Sequence, residues 1–188
     1  MGLIPPLNLC YVASIARACS HDVRLIDLQC RRLNFEELIR EIQDYKPDLI
    51  GVTVTTYLFH PLRRWIRKIK ERIGCPVMAG GFHVSLFPEE TMAYPEFDYA
   101  LMADTPRTIE AFFKAYGISP AYKKIEGLCY RENGDVRIND YTEKPVFSMD
   151  ELPFPARDLI DNSCYGNFIS ARKNFTAMLT GIGCPFRF

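Results

Sequence analysis

Two short segments of the sequence combine residue types that could hold a ligand. The first contains Thr55 and Thr56, with Leu58 two residues further on, and the second contains Gly80-Gly81 followed closely by His83. The threonine hydroxyls could form hydrogen bonds with the polar edge of a ligand. The glycine pair would let a bulky planar ligand approach the backbone closely. Both segments follow apolar runs, so we expect each of them to be a loop at the end of a buried strand.

Each of these residues also has an interpretation that needs no ligand. A glycine pair is a turn in most proteins, and threonine is common in strands because it is β-branched. His83 could equally bond backbone carbonyls, His60 could be an ordinary loop residue, and we expect His21 to lie in a surface turn. A run of basic residues at helical spacing is most often a solvated face, and here it consists of Arg63, Arg64, Arg67, Lys68, Lys70 and Arg72.

The elements that must position these residues alternate between helical and strand patterns as far as Gly117. Apolar periodicity predicts helices over residues 7–18, 35–45, 62–73, 88–94 and 105–116. Strands are predicted over residues 23–28, 49–55, 76–79 and 99–102, the second of them buried on both faces. This alternation predicts an α/β fold with a doubly wound parallel sheet of the Rossmann or flavodoxin-like type. Ligands of such sheets bind beyond the carboxyl ends of the strands, where both loops and a third, residues 103–106, belong.

The pattern changes after Gly117. Residues 127–131 and 136–138 flank Glu132-Asn133-Gly134-Asp135, which is a strong hairpin signal. Prolines then mark an extended connection, and residues 176–180 have the pattern of one more strand. The sequence therefore predicts a Rossmann-like domain over residues 1–120, a β-hairpin extension over 121–145, a linker over 146–175 and the start of another domain over 176–188.

Composition excludes several classes of protein. The 188 residues are 48% hydrophobic and 24% charged, which is typical of a globular chain, and 23 basic residues balance 23 acidic ones. Because the chain has no surplus of positive charge, we expect no nucleic-acid partner. Because it has no long apolar run, we expect no membrane span. With no signal peptide, the chain is predicted to be cytoplasmic and its seven cysteines mostly reduced, with Cys10, Cys19 and Cys30 as small buried or half-buried apolar residues. Phosphate-binding and dinucleotide-binding glycine motifs are absent.

A series of short motifs runs through the chain in a fixed order. It includes residues 4–7, 47–53, 80–83 and 87–90, then 127–134 and 152–158, and finally Gly183-Cys184-Pro185. The series resembles the cobalamin-binding domain that precedes a radical S-adenosylmethionine (SAM) domain, followed by the connection to that domain and the opening of its Cys-x-x-x-Cys-x-x-Cys cluster loop. The resemblance covers essentially the whole chain.

The resemblance implies a flavodoxin-like module that holds cobalamin above a radical SAM barrel, in enzymes that transfer methyl groups or rearrange rings. By position, Thr55, Thr56 and Leu58 would line the nucleotide tail of cobalamin, and Gly80-Gly81 would pack against it, with His83 beside them. The Asp-x-His-x-x-Gly motif that places a histidine on cobalt is absent. Cobalamin would therefore be bound without a protein histidine on the metal.

The chain departs from the family pattern in ways that limit its expected chemistry. Cys184 would be the first cysteine of an iron–sulfur cluster, but Phe188 stands where the second is expected. We therefore expect the [4Fe–4S] cluster and SAM only in full-length relatives, whose radical SAM domain would be a partner, and we expect this chain to be a truncated module that is inactive alone. The family's opening strand is also missing, so the sheet should lack its first strand and be marginally stable. Residues 103–106 lack the family's Gly-Glu-Gly-Glu loop.

Two alternatives stay open at this point. The first is a cofactor-free, flavodoxin-like interaction domain that resembles a response regulator, although Thr53-Val54-Thr55 supplies no aspartate to accept a phosphoryl group. The second is an intact small enzyme on the same fold. Titration with cobalamin, followed by visible absorption, distinguishes both from a cobalamin-binding module.

Overall fold

A computed structural model describes residues 3–102, 106–141, 149–166 and 176–181 of the chain. The chain forms two compact units, one of Leu33–Pro145 and the other of Met1–Arg32 with Val146–Phe188. None of the helices within the described ranges is long and apolar enough to cross a membrane. The domain boundaries given by the sequence stay a prediction.

The described residues form eight α-helices and five strands. The first two helices belong to the smaller unit, and helices and strands alternate through most of the larger unit. The helices are α1 (Leu7–Ala18), α2 (Leu28–Arg31), α3 (Phe35–Tyr45), α4 (Phe59–Ile73), α5 (Phe82–Leu86), α6 (Pro88–Met92), α7 (Pro106–Ala115) and α8 (Ser119–Tyr122). The strands are β1 (Ile50–Thr53), β2 (Val77–Gly80), β3 (Tyr99–Leu101), β4 (Leu128–Glu132) and β5 (Asp135–Ile138). Short 3-10 helices span Thr56–Leu58, Met149–Glu151, Arg157–Leu159 and Asn162–Cys164.

The five strands form one sheet in the order β1-β2-β3-β4-β5. β1, β2 and β3 are parallel, and β4 and β5 continue the sheet in antiparallel pairing. The α/β class predicted from the sequence is therefore confirmed. The predicted hairpin is also confirmed, because Asn133 and Gly134 both have the positive φ that a two-residue hairpin turn requires.

The core of the larger unit lies between the sheet and its helices. Buried side chains from β2, β3 and β4 pack against those of α4, α5 and α6. β1 is less covered, because Gly51 and Thr53 on one of its faces are exposed. The prediction that this strand is buried on both faces is thus wrong. β1 is the edge strand of the sheet, and no strand among the described residues pairs with its outer edge.

Two predicted strands are wrong. Residues 23–28 form no strand, because Asp27 instead caps α2 and accepts hydrogen bonds from the backbone N–H of Gln29 and the hydroxyl of Tyr165. Residues 176–181 also carry no strand assignment. An apolar, β-branched segment becomes a strand only where a neighbouring strand supplies hydrogen-bond partners, and neither segment has such a neighbour among the described residues.

One cysteine prediction needs correction. Cys30 is not a small apolar residue but forms a disulfide with Cys164, and the two Cα atoms lie 5.6 Å apart. The two residues are 134 positions apart in the sequence, so local spacing gave no sign of the pair. Cys10, Cys19, Cys75 and Cys129 form no disulfide among the described residues. Cys184 lies outside the described residues.

Carboxylates pair with much of the basic face of α4. Arg63 and Arg67 both donate to Glu96, whose side chain is 2% exposed. Lys70 bonds Asp98, and Arg72 bonds Glu36. Burial by itself raises the pKa of Glu96, but the hydrogen bond from Arg67 and the charges of both guanidinium groups hold that pKa below its ordinary value of 4.5. Four of the six basic side chains of this face are therefore paired with carboxylates of the same chain.

We predict that Glu96→Gln lowers the free energy of unfolding at pH 7 by about 3–5 kcal/mol, because it leaves two guanidinium groups beside an uncharged buried side chain. A carboxyl whose folded-state pKa is depressed stabilises the fold above its ordinary pKa and loses that effect as the pH falls. The difference between wild type and variant should therefore shrink below about pH 4.5. Urea unfolding over a pH series measures both effects.

The matched control is Glu36→Gln, which breaks an ion pair whose two side chains are exposed. It should cost far less stability, because water screens the pair. Equal losses for the two variants would contradict the role assigned to Glu96.

Candidate functional site

The parallel pairing of β1 and β2 brings the two predicted loops together. Val54, just beyond β1, donates its backbone N–H to the carbonyl of Gly80 at 2.8 Å, and its own carbonyl accepts the N–H of His83 at 3.3 Å. The first loop continues through Thr55 into the 3-10 helix and α4, and the second turns at Gly81 into α5. Both loops therefore leave the sheet at one edge, as the sequence predicted.

The close approach of the two loops requires glycine at position 81. Its φ is 102° and its ψ is 178°, a conformation that is essentially restricted to glycine. A Cβ atom at this position would lie 2.9 Å from the carbonyl oxygen of Val54. The structure thus supplies a local reason for one glycine of the pair, and Gly80 ends β2 half-buried beside it.

His83 lies beneath the surface of the site. Its side chain is buried, with a residue exposure of 2%, and its ring stacks on Phe59 with the centroids 4.0 Å apart. Nδ1 lies 3.4 Å from the hydroxyl oxygen of Thr56, whereas Nε2 is buried and has no hydrogen-bond partner. Burial lowers the pKa of this imidazole, so the ring is neutral at pH 7. His83 belongs to the site through Thr56 rather than through exposure to solvent.

The remaining predicted residues occupy the first loop. Thr56 is exposed, and Leu58 is 40% exposed. Thr55 is partly buried, and its hydroxyl oxygen is fully buried without a hydrogen-bond partner. A buried hydroxyl normally has a partner, so this atom indicates a missing ligand or solvent contact.

Large apolar side chains lie in the same two loops, and all of them except Leu58 were missed as site residues in the sequence. We call them the apolar rim, which consists of Tyr57, Leu58, Phe82, Leu86 and Phe87, all of them exposed. Tyr57 is 78% exposed and Phe82 is 80% exposed, which is unusual for side chains of this size. The signal that could have revealed them is the presence of bulky apolar residues inside loops already singled out for ligand binding. Exposed apolar patches of this kind mark binding surfaces.

The other histidines lie apart from the contact between the two loops. The ring nitrogen Nδ1 of His60 lies 3.5 Å from a guanidinium nitrogen of Arg63 at the start of α4, and His21 belongs to the other unit. Residues 103–105 of the third loop lie outside the described residues. In the parts of the chain that are described, no group of three His, Cys, Asp or Glu side chains could hold a metal ion. The arrangement can bind a large amphipathic ligand by apolar contact and a few hydrogen bonds.

Comparison with known proteins points to one ligand class. The sequence pattern of the B12 binding domain matches residues 2–113, a range that contains both loops. The chain is 33% identical over 186 residues to a protein of Pyrococcus horikoshii named "Uncharacterized methyltransferase PH0819", covering 97% of this chain. It spans only 39% of the length of that relative.

Solved structures agree with this fold. The cobalamin-dependent SAM radical enzyme OxsB, with aqua-cobalamin and SAM bound, superimposes with a TM-score of 0.67 at 23% identity, over 83% of this chain and 22% of that one. The radical SAM methyltransferase TsrM from Kitasatospora setae, with cobalamin and a [4Fe–4S] cluster bound, gives 0.65 at 19% identity, over 93% and 34%. At these identities the two structures support the fold alone.

We predict that Gly81→Ala destabilises the fold by about 1–3 kcal/mol or more, because it adds a contact with Val54 to a strained backbone conformation. The matched control is Gly74→Ala, which also has a positive φ but has open space around its Cβ position. Denaturant unfolding should show the larger loss for Gly81→Ala. A larger loss for Gly74→Ala would contradict the close approach.

Proposed function

The chain belongs to the B12-binding domain family, and on that premise we propose that the edge of the sheet beyond β1 and β2 binds cobalamin. The proposed binding residues are Thr55, Thr56, Leu58, Gly80 and Gly81, with His83 buried beneath them and acting through Thr56. The observation that carries the proposal is the exposed apolar rim, which shares its two loops with the unpartnered buried hydroxyl of Thr55. The family match includes both loops that contribute these residues.

The residues present fit the chemistry of cobalamin. The cofactor combines a broad macrocycle and an aromatic base with amide and phosphate groups, so it needs both apolar surface and hydrogen-bond partners. The rim supplies the first, and the hydroxyls of Thr55 and Thr56 supply the second. The absence of a side chain at Gly80, where β2 ends, leaves its backbone open to close approach. These features support binding along the edge rather than in an enclosed cavity.

Each residue has a distinct part in this proposal. Leu58 and the neighbouring rim side chains contact the apolar parts of the cofactor and exclude water from them. The exposed hydroxyl of Thr56 bonds a polar atom of the cofactor, and Thr55 completes the hydrogen bonding of its own hydroxyl on binding. When bound, cobalamin supplies a cobalt centre that carries a methyl group.

We propose that the whole protein is a methyltransferase-like radical SAM enzyme, to which this chain contributes the cobalamin module. The name of the Pyrococcus relative supports a methyltransferase, and the length of that relative leaves room for a further domain. A [4Fe–4S] cluster and SAM belong to that domain. We propose that the chain is inactive alone, because the cluster and SAM that the reaction needs belong to that further domain.

A binding titration of wild type, a rim variant and a control variant tests the proposed function. Titration of the chain with aquocobalamin, followed by visible absorption and equilibrium dialysis, should show one cofactor per chain. Leu58→Asp should weaken binding at least tenfold, because it places a charge against the apolar surface of the ligand. A tenfold loss of affinity corresponds to about 1.4 kcal/mol. The control Ile118→Asp changes an apolar residue after α7 that is also exposed, at 56%, and should bind like wild type.

Absence of binding by the wild-type chain would favour the second candidate, a cofactor-free interaction domain. The same exposed rim supports that candidate, because a protein partner could cover it. Weaker binding by both aspartate variants would indicate a general effect of charge rather than a site at the rim.

We predict that the cobalt carries no histidine of this chain. His83 is buried under the loop and His60 faces Arg63, which leaves neither poised on an open metal position. A variant with His21→Ala, His60→Ala and His83→Asn should give the same nitrogen hyperfine pattern as wild type in the electron paramagnetic resonance spectrum of bound cob(II)alamin. Loss of an axial nitrogen signal in that variant would contradict the prediction.

A further inference from the structure

A buried histidine supports the exposed threonine of the proposed site from below. The imidazole of His83 lies between Phe59, at a centroid distance of 4.0 Å, and Phe87, at 5.4 Å. Among the described residues, the polar contact of the ring joins Nδ1 to the Thr56 hydroxyl oxygen at 3.4 Å. A phenylalanine would suit such aromatic surroundings equally well without a polar atom to bury. The histidine therefore needs a reason beyond packing.

The hydrogen bonding of the ring assigns its proton. Burial lowers the pKa of His83, outweighing the charge of Glu90, which raises it, while His60 lowers it further. A neutral imidazole has one N–H donor and one acceptor nitrogen. A buried N–H without an acceptor is rarer than an acceptor without a donor, and Nε2 is the nitrogen that has no partner. The tautomer that leaves no buried N–H without an acceptor is the one with the proton on Nδ1.

This tautomer fixes the role of the threonine hydroxyl. Nδ1–H donates to the oxygen of Thr56, so the oxygen is occupied from below and the hydroxyl hydrogen is free to point outward. An exposed hydroxyl with no such neighbour would rotate and either donate or accept. Here the hydroxyl hydrogen is released for donation toward a ligand, whereas the other tautomer would direct it at Nδ1.

We propose that His83 is a positioning residue that holds the Thr56 hydroxyl as a hydrogen-bond donor toward an acceptor atom of the ligand. This inference rests on the proposed function, in which Thr56 contacts cobalamin. The acceptor is an unprotonated ring nitrogen or an oxygen of the nucleotide tail, rather than an amide N–H. His83 itself does not touch the ligand in this arrangement.

Replacements that keep one nitrogen position at a time test the contact. Asparagine places its amide group near the position of Nδ1, and glutamine places it near that of Nε2. His83→Asn should bind aquocobalamin within about twofold of wild type, whereas His83→Gln should bind about threefold to tenfold more weakly, the effect of one neutral hydrogen bond. A purely structural histidine would not distinguish the two amides in this direction.

A double-mutant cycle tests the coupling to Thr56. Thr56→Val should weaken binding about threefold to tenfold, and adding His83→Gln to it should produce no further loss, because the two residues act through one hydroxyl. Thermal unfolding of each variant shows whether it is folded. If His83→Gln does not fold, Thr56→Val and His83→Asn still decide the case.

The outcomes separate this inference from the proposed function. Cobalamin binding by wild type with additive losses in the cycle, or with weaker binding by His83→Asn than by His83→Gln, overturns the positioning role alone. An unchanged affinity of Thr56→Val does the same. No binding by the wild-type chain overturns the proposed function and the positioning role with it.

Discussion

The parallel pairing of β1 with β2 and its extension at Val54 is the contact on which the site depends. The N–H of Val54 bonds Gly80, and its carbonyl accepts the N–H of His83, so one residue of the first loop fixes the path of the second. This close approach leaves no room for a side chain at Gly81. It also sets the imidazole of His83 against Phe59 and Thr56, the first turn of the segment that leads into α4.

The buried and the exposed side chains at this edge of the sheet have different roles. Inside, the aromatic rings and the buried imidazole form part of the core and keep water out, which leaves the His83 ring neutral. Outside, apolar side chains remain exposed at a cost in solvation that the isolated chain does not recover. That surface gains its stabilisation only when a ligand or a partner covers it. The family assignment makes cobalamin the ligand whose size and mixed polarity match it.

The basic side chains of α4 form ion pairs within the larger unit. The cationic side chains of α4 are directed mainly at carboxylates of neighbouring segments, with Glu96 between two arginines and Asp98 beside Lys70. These pairs hold the segment before β3 against the helix that follows the first loop. The basic run is therefore part of the scaffold that positions the loop, and a binding role for it has no support.

The sequence by itself determined the α/β class, the three parallel strands, the hairpin and the loops that carry the site, because apolar periodicity and glycine placement are local signals. Only the tertiary structure decided which residues of those loops are exposed. The apolar rim looks like core in a one-dimensional pattern, and His83 looks like a surface ligand until the approach of Thr56 and Phe59 buries it. The failed strand over residues 23–28 and the Cys30–Cys164 pair have the same cause. A strand or a disulfide needs a partner from a distant part of the chain, and local residue pattern contains no information on which partner will be present.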